Sequence, residues 1–279
     1  MSNISNRIGV FDSGVGGLTV LRGLVQTLPQ YDYCYLADTA NLPYGERSQD
    51  ELFRFTTQAS EFFFERGCSL VILACNTVSS QALRTFQQTV LPGYPRKKVL
   101  GVLVPLAEAA TATTKNRRVG VLATQSTVDS GAFVREINKL DSSVEIFQQA
   151  CPLLVPLIEN GQEDSAEMDL ALDEYLHKSL AENVDTIILG CTHYSIIEEK
   201  IRSKVGNSIA LVSAARVVPE RLVEYFQRHT DVASDLAGAS ESGSQVEFFV
   251  TSDPSRFDLI GSRVYRSPIV SKNIEIYQI

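Results

Sequence analysis

The sequence is poor in the side chains that hold metals and build disulfide frameworks. It has three histidines and five cysteines (Cys34, Cys68, Cys75, Cys151 and Cys191), and no two cysteines form a Cys-x-x-Cys pair. An odd number of thiols at scattered spacings predicts neither a disulfide framework nor a metal site, and suits a reducing cytoplasm. Long apolar runs are also missing. The longest are strand-sized and fall well short of the roughly 18 residues of a membrane span. The start, MSNISNRIGVFDSG, lacks a basic segment followed by an apolar one, so no secretory signal is expected. Positive charge is short as well: 25 Lys and Arg against 33 Asp and Glu leave a formal net charge of −8. That balance opposes attraction to nucleic acid or anionic lipid, and neither is expected as a partner.

What the chain does have is apolar strand-length runs alternating with amphipathic helix-length stretches. RIGVF leads to GLTVLRGLVQTL, YCYLA to ELFRFTTQASEFFFERG, and SLVILA to TVSSQALRTFQQTV. This rhythm predicts an α/β fold with parallel sheets covered on both faces. With 279 residues, 44% of them hydrophobic, there is material for two domains. The halves also resemble each other. RIGVFDSG from Arg7 matches RVGVLATQ from Arg118, DYCYLAD matches VEIFQQA, and ERGCSLVILACNTVSS matches AENVDTIILGCTHYSI. VLGVLVP and SIALVSA follow in the same order. Two similar parallel-sheet domains related by a pseudo-twofold are therefore expected, with the active site in the cleft between them. The first spans 1–101 and is completed by 214–279; the second spans 102–213. Within the tail, VVPERLVEYFQRH reads as a helix, ASDLAGASESGSQ as a linker, and VEFFVTSDPSRF as a strand with a short helix.

The repeat sets two thiols at equivalent strand ends, Cys75 in LVILACNTVSS and Cys191 in TIILGCTHYS. One strand-end cysteine is usually a small core residue. Two at matched positions call for another account. Ligands of parallel α/β sheets bind outside the carboxyl ends of the strands, where unpaired backbone N–H groups open the next helix. Facing halves would put Cys75 and Cys191 on opposite sides of one cleft. That suits racemisation beside a carboxylate: one group removes the α-proton and the other returns a proton to the opposite face. Thiols titrate near enough to neutrality for thiolate and thiol to coexist there.

The two copies diverge where helpers would stand. Asp12 is opposite Ala123, and His193 is opposite Thr77. Asp12 reads either as the partner of Cys75 or as a helix N-cap before the glycines. His193 reads either as the partner of Cys191 or as a structural imidazole. FDSGVGGLTV resembles a dinucleotide fingerprint but lacks its G-x-G-x-x-G spacing, and tight-turn glycines around a small ligand fit better. Pro43, Tyr44 and Gly45 form either a ligand loop with an aromatic wall or an ordinary surface turn. Asn76, Thr77 and Thr192 can add hydrogen bonds. Cys34, Cys68 and Cys151 read as structural, and Glu159 as either inward-turned or a solvated helix-start glutamate.

VFDSGVGGLTVL, YLADTANLPYG, ACNTVSS, ACPLLVPLIE and LGCTHYS, in this order, resemble the motifs of the glutamate racemase family. The resemblance runs from about Ile8 to FFVTSDPSRF. It implies cofactor-independent interconversion of L- and D-glutamate for bacterial cell-wall (peptidoglycan) synthesis. Cys75 would be the base for D-glutamate and Cys191 for L-glutamate, assisted by Asp12 and His193, with Glu159 as a further candidate near Cys191. Asp12–Ser13, Tyr44–Gly45, Asn76–Thr77 and Thr192–His193 would hold the amino acid, and a homodimer remains possible. Ser195 departs from the proline that the family commonly carries after CTHY, and Ser213 from a frequent aspartate. Two other readings stay open: a racemase of a related acidic amino acid such as aspartate, and a non-catalytic binding protein on the same scaffold.

Basic residues are scarce near these motifs. The substrate carboxylates are therefore expected on backbone amides and on the hydroxyls of Ser13, Thr77, Thr124 and Thr192. A two-thiol reaction also needs no pyridoxal phosphate, and no strand-end motif carries a lysine for a Schiff base. Activity is expected to survive exhaustive dialysis, and the purified protein to show no visible absorption. A pyridoxal-type band lost together with activity would contradict this.

Overall fold

The computed structural model describes residues 7–236 and 244–276. Its strands form two sheets, and every pairing in both is parallel. The first sheet contains β1 (Arg7–Asp12), β2 (Tyr33–Ala37), β3 (Cys68–Leu73) and β4 (Lys98–Gly101). The second contains β5 (Arg118–Ala123), β6 (Glu145–Ala150), β7 (Thr186–Gly190) and β8 (Ala210–Ser213). The tail adds β9 (Val246–Val250) and β10 (Ser271–Asn273) to the first sheet, beside β2. The spatial order β2–β1–β3–β4 recurs as β6–β5–β7–β8. The internal likeness of the sequence is thus a likeness of topology.

Helices α1 (Leu18–Thr27), α2 (Gln49–Glu65), α3 (Asn76–Gln81) and α4 (Leu83–Thr89) connect the first four strands. TVSSQALRTFQQTV, expected as one helix, is two, with the break at Ala82 (φ −115°, ψ −33°). Helix α2 begins at a capping box between Ser48 and Glu51. It buries Leu52, Phe55, Ala59, Phe62 and Phe63, whose spacing keeps them on one face. Helix α5 (Leu103–Thr113) passes from one sheet to the other. Helices α6 (Gln125–Asp129), α7 (Ala132–Leu140), α8 (Leu154–Glu159), α9 (Ala166–Ala181) and α10 (Glu198–Val205) serve the second sheet. The tail carries α11 (Ala214–Arg228), α12 (Thr230–Leu236) and α13 (Pro254–Tyr265). The expected linker 233–245 is therefore helical at its start, where Val232 and Leu236 pack inward together; residues 237–243 of it lie outside the described residues.

One apolar core joins the halves. It holds Ile8 and Val10 of β1, Val119 and Val121 of β5, and Leu103, Leu106, Ala107 and Ala110 of α5. Separate clusters fill the outer face of each sheet. β1 and β3 are fully covered apart from Arg7 and Ser69 at their starts, as parallel strands flanked on both faces should be. Among the described residues no helix is long and apolar enough to cross a membrane.

The topology fixes where a ligand can sit. In each sheet the chain leaves the first strand for one neighbour and returns on its other side, so a crevice opens between β1 and β3, and between β5 and β7. Asp12 and Cys75 stand at the carboxyl side of the first crevice; Thr124 and Cys191 stand at the second.

Gly190 ends β7 directly before Cys191. A methyl group there would lie 2.9 Å from the Leu122 carbonyl oxygen and 3.0 Å from the Phe133 ring. Gly190→Ala is therefore expected to destabilise the protein by about 1–3 kcal/mol, as overpacking does. A denaturant midpoint equal to the parent's would show that this strand end has slack.

Candidate active site

Cys75 is the last residue before α3. Its backbone is extended (φ −65°, ψ 119°), and the backbone N–H groups of Thr77 and Val78 at the start of α3 favour its charged form. Burial, then the nearby Asp12 carboxylate, push its thiol well up, and the two N–H groups offset this only in part. Cys75 is thus held as a thiol. Cys191 occupies the same place after β7, ahead of a 3-10 turn over Thr192–Ser195.

The helpers of Cys191 form a chain. His193 Nδ1 lies 3.7 Å from the Cys191 sulfur, and on the far side of the ring His193 Nε2 donates to Glu159 Oε1 at 2.6 Å. The same carboxylate oxygen accepts the Val15 N–H at 3.1 Å. Burial alone would keep His193 neutral. The hydrogen bonds to Cys191 and Glu159, with the charge of Glu159, overcome it and raise the imidazole well above its ordinary value. Burial likewise works against the Glu159 carboxylate, but the bond to His193 and that residue's charge outweigh it and hold the acid low. An imidazolium and a carboxylate therefore sit together out of water. The expectation of a solvated helix-start glutamate fails at Glu159: it is the last residue of α8, and its side chain is only 15% exposed.

Asp12 is wholly buried. Its Oδ1 accepts the Gly14 N–H and its Oδ2 accepts the Thr192 hydroxyl, both at 3.0 Å. It is not a helix N-cap; Gly17 holds that position for α1, with no side-chain cap. Burial raises its carboxyl, against the charge of His193 and these hydrogen bonds.

The glycines around Asp12 are there for clearance. A methyl on Gly14 would stand 2.2 Å from Glu159 Oε1, and one on Gly16 would stand 2.7 Å from the His193 backbone nitrogen. Gly45 approaches Thr124 of the other half, leaving 3.1 Å between a would-be methyl and the Thr124 side chain. Across the same seam, the hydroxyls of Thr77 and Thr124 lie 3.0 Å apart.

Between the thiols lies a cavity of about 60 Å³. It is lined by Ser13, Pro43, Tyr44, Gly45, Cys75, Asn76, Thr77, Thr124, Cys191, Thr192 and His193, with Glu46, Gln125, Cys151, Pro152, Val155 and Pro156. Asp12 lies beneath this lining, and Glu159 reaches it through His193. No Lys or Arg is among the lining residues. Both polar atoms of the Asn76 side chain are buried without a protein partner. Such atoms cost about 1–3 kcal/mol when unpaired, and here they lie in the cavity lining.

Three details differ from the sequence reading. Tyr44 lines the cavity, but its ring packs against Phe11 and Phe55 and its hydroxyl bonds Asp38, so most of it is core. Cys151, read as structural, also lines the cavity, with its thiol directed at the Gln149 carbonyl at 3.5 Å. Asp38 went unnoticed. Directly after β2, it accepts hydrogen bonds from Asn41, Tyr44 and Thr251, fastening the 39–46 loop to the tail. Like Asp12, it stands at a strand end.

Residues 8–218 match the family described as Asp/Glu/Hydantoin racemase. The chain is 38% identical over 257 residues to a glutamate racemase of Geobacter metallireducens, covering 92% of this chain and 91% of that one. Among solved structures, glutamate racemase isoform RacE1 of Bacillus anthracis superposes with a TM-score of 0.88 at 31% identity, with 97% of each chain covered. The glutamate racemase of Francisella tularensis, solved in complex with D-glutamate, superposes at 0.85 with 28% identity and 98% of each chain covered. With paired strand-end thiols, a matched pair of sheets and these likenesses, the chain belongs to the Asp/Glu/Hydantoin racemase family, among its glutamate racemases, isomerases that act on an amino acid.

Proposed function

We propose that the chain interconverts L- and D-glutamate by proton transfer between Cys191 and Cys75, supplying D-glutamate for peptidoglycan in the cytoplasm. The observation that carries this is one cavity bordered by two thiols from equivalent strand ends of the repeat. In this reading residues 1–101 with 214–279 and residues 102–213 are the two domains, and the site lies between them.

With L-glutamate, the Cys191 thiolate removes the α-proton. The Cα–H bond breaks, an S–H bond forms, and the electron pair spreads into the α-carboxylate. Cys75 then gives its thiol proton to the opposite face, leaving D-glutamate, a Cys191 thiol and a Cys75 thiolate. D-glutamate runs the same steps backwards. The two thiols meet unlike neighbours: burial and Asp12 favour the Cys75 thiol, and the His193 imidazolium stands with its Nδ1 3.7 Å from the Cys191 sulfur. In a lining without Lys or Arg, the substrate carboxylates fall to Asn76, to the hydroxyls of Ser13, Thr77 and Thr124, and to backbone N–H groups, the Thr192 hydroxyl being committed to Asp12. These neutral donors favour the extra charge on the carboxylate without stopping its return to carbon.

Either Cys75→Ala or Cys191→Ala is expected to abolish racemisation. In deuterium oxide Cys191→Ala should exchange the α-proton of D-glutamate slowly without inversion, and Cys75→Ala should prefer L-glutamate. Racemisation near the parent rate by either variant, or activity on aspartate but not glutamate assayed beside it, would overturn this reading.

Glu159→Gln is expected to lower the His193 titration midpoint, followed by NMR of the labelled imidazole. The charged pair stabilises the fold fully between about pH 4.3 and 6.5, the unfolded values of its two members. Above that window the stabilisation fades as His193 loses its proton, and below it as Glu159 gains one. The stability deficit of Glu159→Gln should therefore be largest inside the window; a deficit independent of pH would count against the pair.

A further inference from the structure

Glu159 ends a short helix, and the carbonyls of a helix's last turn have no partners within it. Its side chain must nevertheless stay on His193. The tail supplies a hold. Helix α13 joins the first sheet through β9 and β10, and the Asp253 carboxylate fixes its start by accepting the Arg256 N–H at 3.1 Å. From that first turn Arg256 Nη2 reaches the other half, donating to the Glu159 carbonyl oxygen and to Asn160 Oδ1, both at 2.9 Å. Two turns further along α13, Arg263 Nη2 donates to Glu163 Oε1 at 2.9 Å. Arginines on one face of one helix thus grip both ends of segment 159–163.

A cavity of about 360 Å³ opens beside Arg256 and Glu159, walled by Val15, Leu42, Phe257 and Ile260 among others. The guanidinium also places positive charge at the carboxyl end of α8, where it favours both the helix dipole and an ionised Glu159.

We infer that Arg256 is a positioning residue. It ties the end of α8 to the C-terminal helix, holds Glu159 against His193, and so sets the Cys191 side of the site. Its kinetic consequence rests on the proposed two-thiol reaction, whereas the placement of Glu159 does not.

The test compares the full-length parent with Arg256→Met, which keeps the stem but not the donors, and Arg256→Lys, which restores a charged donor. Arg256→Met should fold and lose about tenfold in kcat/KM, equally in both directions because the equilibrium constant of a racemisation is fixed at unity. The proton transfer at Cys191 should become more rate-limiting. The primary isotope effect should therefore rise with 2-deutero-L-glutamate and fall with 2-deutero-D-glutamate, a split that general loosening of the fold would not produce. The His193 imidazole, which faces Cys191, Glu159 and Asp12, should titrate lower in the same variant. Arg256→Lys should recover most of both effects. Should Arg256→Met fail to fold, Arg256→Gln, with a shorter neutral donor, is read in the same way. Unchanged isotope effects together with an unchanged His193 midpoint would overturn the inference. A parent protein without glutamate racemisation would instead overturn the two-thiol reading, and the His193 titration would still decide the role of Arg256.

Discussion

Two opposite charges at His193 and Glu159, 2.6 Å apart and nearly out of water, impose most of the local design. Either charge alone would be unfavourable at such depth, and removing one partner of a buried pair typically costs about 3–5 kcal/mol. The pair needs room, and Gly14 and Gly16 provide it by having no side chain where Glu159 and His193 pass. It needs further donors, and the Val15 N–H supplies one. The glycine-rich turn after β1 is thus shaped by what packs on it. A turn built for a pyrophosphate would also carry glycines, but it would not close onto a carboxylate and an imidazole from another part of the chain.

In the proposed reaction, the repeat lets one scaffold meet the two faces of a carbon with different side chains. Both halves share strand order and a thiol after the third strand, so the thiols enter the cavity from matched directions. The side chains beside them are not matched. Asp12 replaces what is Ala123 in the other copy, and His193 replaces Thr77. An acid thus stands next to one thiol and an imidazolium next to the other, on an almost symmetric frame. Asp12 also accepts the Thr192 hydroxyl, so the two unlike environments share a hydrogen bond.

The sheets, their parallel sense and the two thiols were legible in the sequence because each has a local signature: apolar runs with turns at their ends, repeated in order. Asp12 and His193 were legible as the places where the copies disagree. Glu159 was not settled, because a glutamate after an apolar loop looks the same whether it turns outward or inward. Only the placement of α8 against the β1 turn decides it. Arg256 is further from view, since its partners are a main-chain carbonyl and an asparagine nearly a hundred residues earlier. Asp38 carried a usable signal in YLADT that was not read as one. The departures at Ser195 and Ser213 acquire a physical description as well: both hydroxyls are buried with no protein partner.

The cavity of about 60 Å³ matches the liquid volume of about two water molecules, less than glutamate itself fills. Its roof is a seam of small contacts, Gly45 against Thr124 and Thr77 against Thr124, with Gln81 reaching Ser126 just outside. Its far side is the continuous apolar core through α5. A box latched by a few hydroxyls and hinged on packed hydrocarbon opens at the latch. Under the proposed reaction both forms of glutamate would cross this one seam, so a single opening step would gate both directions.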